Sequence, residues 1–139
     1  MSEEQARQLM QQLQMLEAYS AELAQREDAL VGMLRNATAA SDSLRTLKER
    51  DSDALVPIGM GAYMPARISS DAKVVLDIGA GVAVEKDIAS AASYLEARIK
   101  EIDVAIRDNA AKRQEAAARL EDGKGQLGQM MQKPGKDHV

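Results

Sequence analysis

The stretch Leu55-Val56-Pro57-Ile58-Gly59-Met60-Gly61-Ala62-Tyr63 is echoed further along by Leu76-Asp77-Ile78-Gly79-Ala80-Gly81-Val82. Each copy is an apolar run, a Gly-x-Gly and a second alternating run, which is the pattern of a β-hairpin. The expected strands are Ala54 to Ile58, Tyr63 to Ile68, Lys73 to Ile78 and Val82 to Lys86, with Ser69 to Ala72 joining the hairpins. Gly59-Met60-Gly61 and Gly79-Ala80-Gly81 are the expected turns, where glycine supplies positive φ without strain. Pro57 and Pro65 have no N–H to donate, so they belong at edges or bulges. A phosphate-binding reading of the Gly-x-Gly pairs fails, because such a loop must lead into a helix and here a strand follows.

Working outward, the flanks of this segment are of another kind. From Ser2 to Glu49 there is no Pro and a single Gly, Gly32. Leu9, Leu16, Leu23, Leu30, Ala37 and Leu44 recur every seventh residue, interleaved with Ala6, Leu13, Ser20, Glu27, Leu34, Ser41 and Lys48. After Asp87, a plausible N-cap, the same spacing returns in Ile88, Leu95, Ile102, Asn109, Ala116, Gly123 and Met130, interleaved with Ala92, Ile99, Ile106, Arg113, Leu120 and Leu127. A sustained heptad predicts two coiled-coil helices, each about 70 Å long at the rise of an α-helix. Arms of nearly equal length joined by a short segment pair antiparallel. Facing residue numbers then add to about 136, which stacks Leu44 by Ala92 and places Glu27 and Arg113 together across the seam. Asp122-Gly123-Lys124-Gly125-Gln126-Leu127-Gly128 carries three glycines, so the free end of the second arm is expected to fray or flex.

The fold class expected is therefore α+β, a long antiparallel two-helix coiled coil carrying two central β-hairpins. The chain is read as one domain over 1–139, with a first helix over 2–50, tandem hairpins over 53–87, a second helix over 88–132 and a flexible tail over 133–139 that holds His138. Two isolated hairpins are marginal in water and their edges attract further strands. Val56, Ile58, Tyr63, Val75, Ile78, Val82 and Val84 are the residues expected to assemble with other chains into an inter-subunit β-barrel.

Composition sets the remaining bounds. Phe and Trp are absent, aromatics make up 2% and charged residues 29%, a profile of long helices rather than of a core built on aromatics. The net charge of −4 disfavours nucleic acid, whose phosphates require a basic surface. Without Cys there is no disulfide and no thiolate metal site. The start Met1-Ser2-Glu3-Glu4 lacks a signal-peptide pattern, no stretch is apolar enough for a membrane, and a cytoplasmic protein is expected. No cofactor and no catalytic set is expected, and the acidic residues read as solvated helix faces.

The central segment, with Leu55-Val56-Pro57-Ile58-Gly59-Met60-Gly61-Ala62-Tyr63 and Asp77-Ile78-Gly79-Ala80-Gly81-Val82-Ala83-Val84-Glu85-Lys86, resembles the prefoldin alpha subunits of archaea. The resemblance implies a hexamer of two alpha and four beta subunits, with hairpins forming the barrel and coiled coils hanging from it. It implies capture of unfolded or nascent polypeptides at the coiled-coil tips, transfer to a group II chaperonin, and no use of ATP. In an antiparallel arm both chain ends lie at the tip, where Met1, Met10, Met15, Met130 and Met131 collect five of the eight methionines. Methionine is flexible and polarizable and suits a surface that takes many partners. The expected client contacts are Leu9, Met10, Leu13, Met15, Leu127, Met130 and Met131. The alternatives are a coiled-coil spacer or adaptor, which leaves the duplicated hairpins without a role, and an RNA-gripping helical hairpin, which would need a basic stripe.

Overall fold

The protein was described from a computed structural model, in which residues 3–132 are described. Ser2, the tail over 133–139 and His138 lie outside them. The order of elements is α1 (Glu3–Glu49), β1 (Ser52–Gly59), β2 (Ala62–Ile68), β3 (Val74–Gly79), β4 (Val82–Lys86) and α2 (Ile88–Gln132). Contacts divide the chain into two compact units, Met1–Val31 with Val104–Val139, and Gly32–Asp103.

In the first unit the two helices lie side by side and antiparallel: Leu13 rests on Gly123, while Leu23 and Glu27 meet Asn109 and Arg113. Leu13, Leu23, Asn109, Ala116 and Gly123 are buried, all on the expected heptad positions. The Arg113 guanidinium pairs with the Glu27 carboxylate, as the heptads predict, and Asn109 Nδ2 donates to the Leu23 carbonyl at 2.9 Å, a bond they do not predict. The offset of these two contacts has a geometric cause. The Leu23 carbonyl points towards the following turn, and the long side chains of Glu27 and Arg113 lean towards the N-termini of their own helices.

In the second unit Leu44, Ile88 and Ala91 form the core, with Leu47, Ala92, Leu95, Val74 and Leu76 packed against them. Ser41 is also buried on the seam, and its Oγ has no hydrogen-bond partner among the described residues. Arg45 spans the two helices to Glu96 at 3.5 Å with both groups exposed, so it adds little to stability. The start of α2 is set by Asp87. Its Oδ1 accepts the Ser90 N–H at 2.7 Å and its carbonyl accepts the Ala91 N–H at 2.9 Å, the arrangement of an N-cap. That bond from the Ser90 backbone holds the Asp87 carboxyl below its ordinary pKa, helped by the Ser90 hydroxyl and, more weakly, by the charges of Lys73 and Lys48.

The strands form two separate antiparallel pairs, β1-β2 and β3-β4. β1, β2 and β3 each run one residue further at the turn than the sequence suggests, because Gly59 pairs with Ala62 and Gly79 with Val82 across a bulge, while β4 spans Val82–Lys86 as expected. The loops are accordingly two residues, Met60-Gly61 and Ala80-Gly81, with φ positive throughout (53° and 77°, then 53° and 75°), as a type I′ turn requires. Leu55 pairs with Pro65 and Pro57 with Tyr63. In a two-stranded sheet every strand is an edge, and the missing N–H groups point outward where no ladder bond is lost. The second hairpin has Asp77 where the first has Pro57, and its Oδ1 accepts the Gly79 N–H at 2.9 Å to brace the turn.

Two outcomes follow. Since the Asp87 pKa is depressed on folding, its contribution to stability is complete above the unfolded value of about 4 and is lost as pH falls through the folded value. Asp87→Ala will lower Tm at neutral pH, whereas Asp87→Asn will keep the cap and lose this acid-side dependence, both read by thermal unfolding from pH 2 to 7. Asn109→Leu will raise stability by about 1–2 kcal/mol by exchanging a buried amide for apolar volume, but will loosen register. Cysteines placed at Leu13 and Gly123 will crosslink more slowly in that background than with Asn109 present.

Candidate functional site

Among the described residues, the exposed large apolar side chains gather on two surfaces, with Met33 and Val104 apart from both. The first lies in the unit that holds the start of α1 and the end of α2. Here the seam is closed by Leu13 (6% exposed), Leu23 and Ala116, with Leu9, Leu16, Leu120 and Leu127 half-buried beside them. Outside the seam stand Met15 at 73% and Met131 at 72% exposure, with Met10 and Tyr19 also exposed. A groove of about 640 Å³ opens beside Gly123, its apolar side formed by Leu9, Leu13, Met15, Leu16 and Tyr19. Its polar rim is Gln12 and Gln126 with one charge of each sign, Arg119 and Asp122.

Gly123 shapes this groove. A Cβ on it would lie 2.4 Å from Leu13 Cδ2, so the leucine fills the space that the glycine leaves. This corrects the expectation of a frayed end: α2 stays helical through Gly123, Gly125 and Gly128 to Gln132. The physical reason is packing, because burying Leu13 against the bare backbone of Gly123 offsets the poor helix propensity of glycine. Lys124 approaches Glu17 at 3.8 Å with both side chains exposed, a weak pair.

Of the residues expected to meet clients, Met10, Met15 and Met131 are exposed, Leu9, Leu127 and Met130 are half-buried, and Leu13 is buried in the seam. Tyr19 belongs to the same surface, and sequence reasoning missed it because it falls off the heptad and is no methionine. Among the described residues no group of His, Cys, Asp and Glu could hold a metal ion, and no helix is long and apolar enough to cross a membrane.

The second surface is made by the hairpins. Val56, Ile58, Tyr63, Val75, Ile78 and Val82 are exposed and Val84 is half-buried. Leu55, Met60 and Met64 are exposed as well and were not singled out from the sequence. The two hairpins differ in kind. Val74 and Leu76 of the second pack on the helix core, so one of its faces is already spent. The first shows apolar side chains on both faces, Val56 and Met64 on one, Leu55 and Tyr63 on the other.

Comparison with known proteins agrees with this architecture. The family model described as Prefoldin subunit matches residues 2–136. The chain belongs to the prefoldin family. Prefoldin subunit alpha of Nitrosopumilus maritimus is 62% identical over 133 residues, covering 95% of this chain and 92% of that protein. Prefoldin subunit alpha of Methanocorpusculum labreanum is 30% identical over 132 residues, covering 88% and 82% respectively. A chain of the filamentous prefoldin of Methanocaldococcus jannaschii matches in fold with a TM-score of 0.51 at 24% identity, covering 88% of this chain and 98% of that one. Prefoldins are chaperones rather than a known enzyme class, and their subunits work in oligomeric complexes, of which the filament is one.

The two kinds of helical glycine separate by substitution. Gly125→Ala will stabilise the chain by about 1 kcal/mol, since its new methyl group meets nothing. Gly123→Ala will gain less, because Leu13 must move to admit it; thermal unfolding of the two variants side by side measures the difference.

Proposed function

We propose that this chain is the alpha subunit of an ATP-independent holdase, which binds unfolded polypeptides at the paired ends of α1 and α2 and keeps them from aggregating. The observation that carries the reading is the exposure of Met10, Met15 and Met131 beside a seam that leucines already close. A coiled coil that served only as a spacer would gain nothing from apolar side chains outside its seam, which would cost solubility. Their chemistry suits a client of no fixed sequence, because thioethers adapt their shape at small cost.

The hairpins supply assembly in this reading. Val56, Ile58, Tyr63, Val75, Ile78, Val82 and Val84, joined by Leu55 and Met64, are covered by strands of other subunits in an inter-subunit β-barrel. Two alpha and four beta chains make the complex, in the cytoplasm, and bound clients pass to a group II chaperonin. Membership of the prefoldin family supports the chaperone part of this reading. The whole chain acts as one prefoldin-type domain, its hairpins assembling and its helix ends capturing.

Replacing Met10, Met15 and Met131 together with Gln removes about 1 kcal/mol of apolar burial at each position, so client affinity will fall about a hundredfold. Suppression of aggregation of a heat-unfolded client, followed by light scattering, will weaken accordingly. Native mass spectrometry will show the same complex as before substitution. Undiminished suppression by the triple variant would sink the reading.

A further inference from the structure

The chain has no Cys, so the thioethers of its eight methionines are its only sulfur. Their placement in the first unit follows a division. The buried residues that close the seam there, Leu13, Leu23, Asn109 and Ala116, carry no sulfur. Met10, Met15 and Met131 stand outside the seam and are exposed, while Met130, on a heptad position, is half-buried. Hydrocarbon side chains resist peroxide, whereas an accessible thioether is oxidised to a polar, chiral sulfoxide. Leucine at the same positions would supply similar apolar area and suit a helix at least as well, without this reactivity. An oxidant therefore reaches the methionines of this surface and leaves the side chains that hold the helices together.

We propose that Met10, Met15 and Met131 form a reversible oxidation site, at which peroxide turns the apolar surface polar and releases a bound polypeptide while the coiled coil stays paired. The proposal rests on the holdase reading and adds its regulation. The step is a two-electron transfer of oxygen. The thioether sulfur attacks one oxygen of hydrogen peroxide, and the S–O bond forms as the O–O bond breaks. The departing hydroxide takes the proton left on the transferred oxygen and becomes water. Sulfur is oxidised to the sulfoxide and the peroxide is reduced. A dithiol sulfoxide reductase reverses the step: two thiols become a disulfide and the oxygen leaves as water. Each sulfoxide puts a dipolar S–O group where apolar side chains of the polypeptide would lie, so contact would bury an acceptor without a donor. Met33, exposed on α1 but apart from this surface, is oxidised as well, without effect on binding.

The test uses the full chain assembled with its partner subunits. The complex is treated with hydrogen peroxide and the excess is destroyed with catalase. Fluorescently labelled, reduced and carboxymethylated α-lactalbumin, which stays unfolded, is then added as the probe. Peptide mass spectrometry will show sulfoxide at Met10, Met15 and Met131 before Met130. Affinity for the probe will fall about a hundredfold through the loss of three apolar contacts. Methionine sulfoxide reductases for both sulfoxide epimers will restore it. Native mass and helical circular dichroism will stay as they were. The triple variant Met10→Leu, Met15→Leu and Met131→Leu will bind as the unsubstituted complex does and keep that affinity after peroxide, whereas Met33→Leu will not protect. Unchanged binding with all three sulfoxides present overturns the proposal. An equal loss in the triple variant overturns it too, because the effect then lies on other methionines or on the partner subunits. Absence of sulfoxide at the three positions, or dissociation of the complex on oxidation, also overturns it. Each of these results leaves the holdase reading intact, because the untreated complex still binds. If the untreated complex does not bind the probe, the holdase reading itself fails and the proposal falls with it.

Discussion

A helix of 47 residues with leucine recurring every seventh position cannot leave that stripe in water. Burying one such side chain is worth about 2 kcal/mol, and the stripe carries many of them. The remaining features are answers to this constraint. The second helix returns antiparallel because its own heptads offer a stripe of similar length. Polar positions on the seam then become informative. Asn109 and the Glu27–Arg113 pair contribute little net energy, but each is satisfied in one register alone, which makes them register marks rather than defects. Ser41 is the exception, a buried hydroxyl whose oxygen finds no partner among the described residues.

The hairpins answer a different problem. The second has an anchor, because Val74 and Leu76 reach the core at Leu44, Ile88 and Ala91. The first has no buried residue of its own and presents apolar side chains on both faces. A two-stranded sheet that buries so little is marginal alone. That chemistry fits the family to which the chain belongs, whose members function as assemblies. Its prolines at 57 and 65 blunt the free edges without harming the ladder, which limits unregulated strand addition.

Much of this was legible in the residues. The two heptads predicted most inward positions of both helices, with Lys48 the one seam position that turns out exposed and Ala91 a core residue they left out. The Gly-x-Gly echo predicted both hairpins, and Asp87 predicted the start of α2. The turns were read one residue too long, because a glycine followed by a bulge and a glycine in a loop look alike in sequence. Leu55 and Met64, both exposed, were overlooked for a different reason. A period separates the two faces of an element, but it does not reveal that both faces of a hairpin are left open.

The sequence by itself determined that this chain has two coiled-coil helices with tandem hairpins between them, because apolar periodicity and glycine placement are local properties with strong backbone consequences. It could not decide what the glycines of α2 do. Propensity alone counts all three as weak points, and it predicted a frayed end. Only the tertiary structure places Leu13 opposite Gly123, where the missing Cβ is a cavity already filled, and leaves Gly125 and Gly128 facing open space. The distinction lies in which side chain stands across the seam, and no property of the α2 residues contains that information.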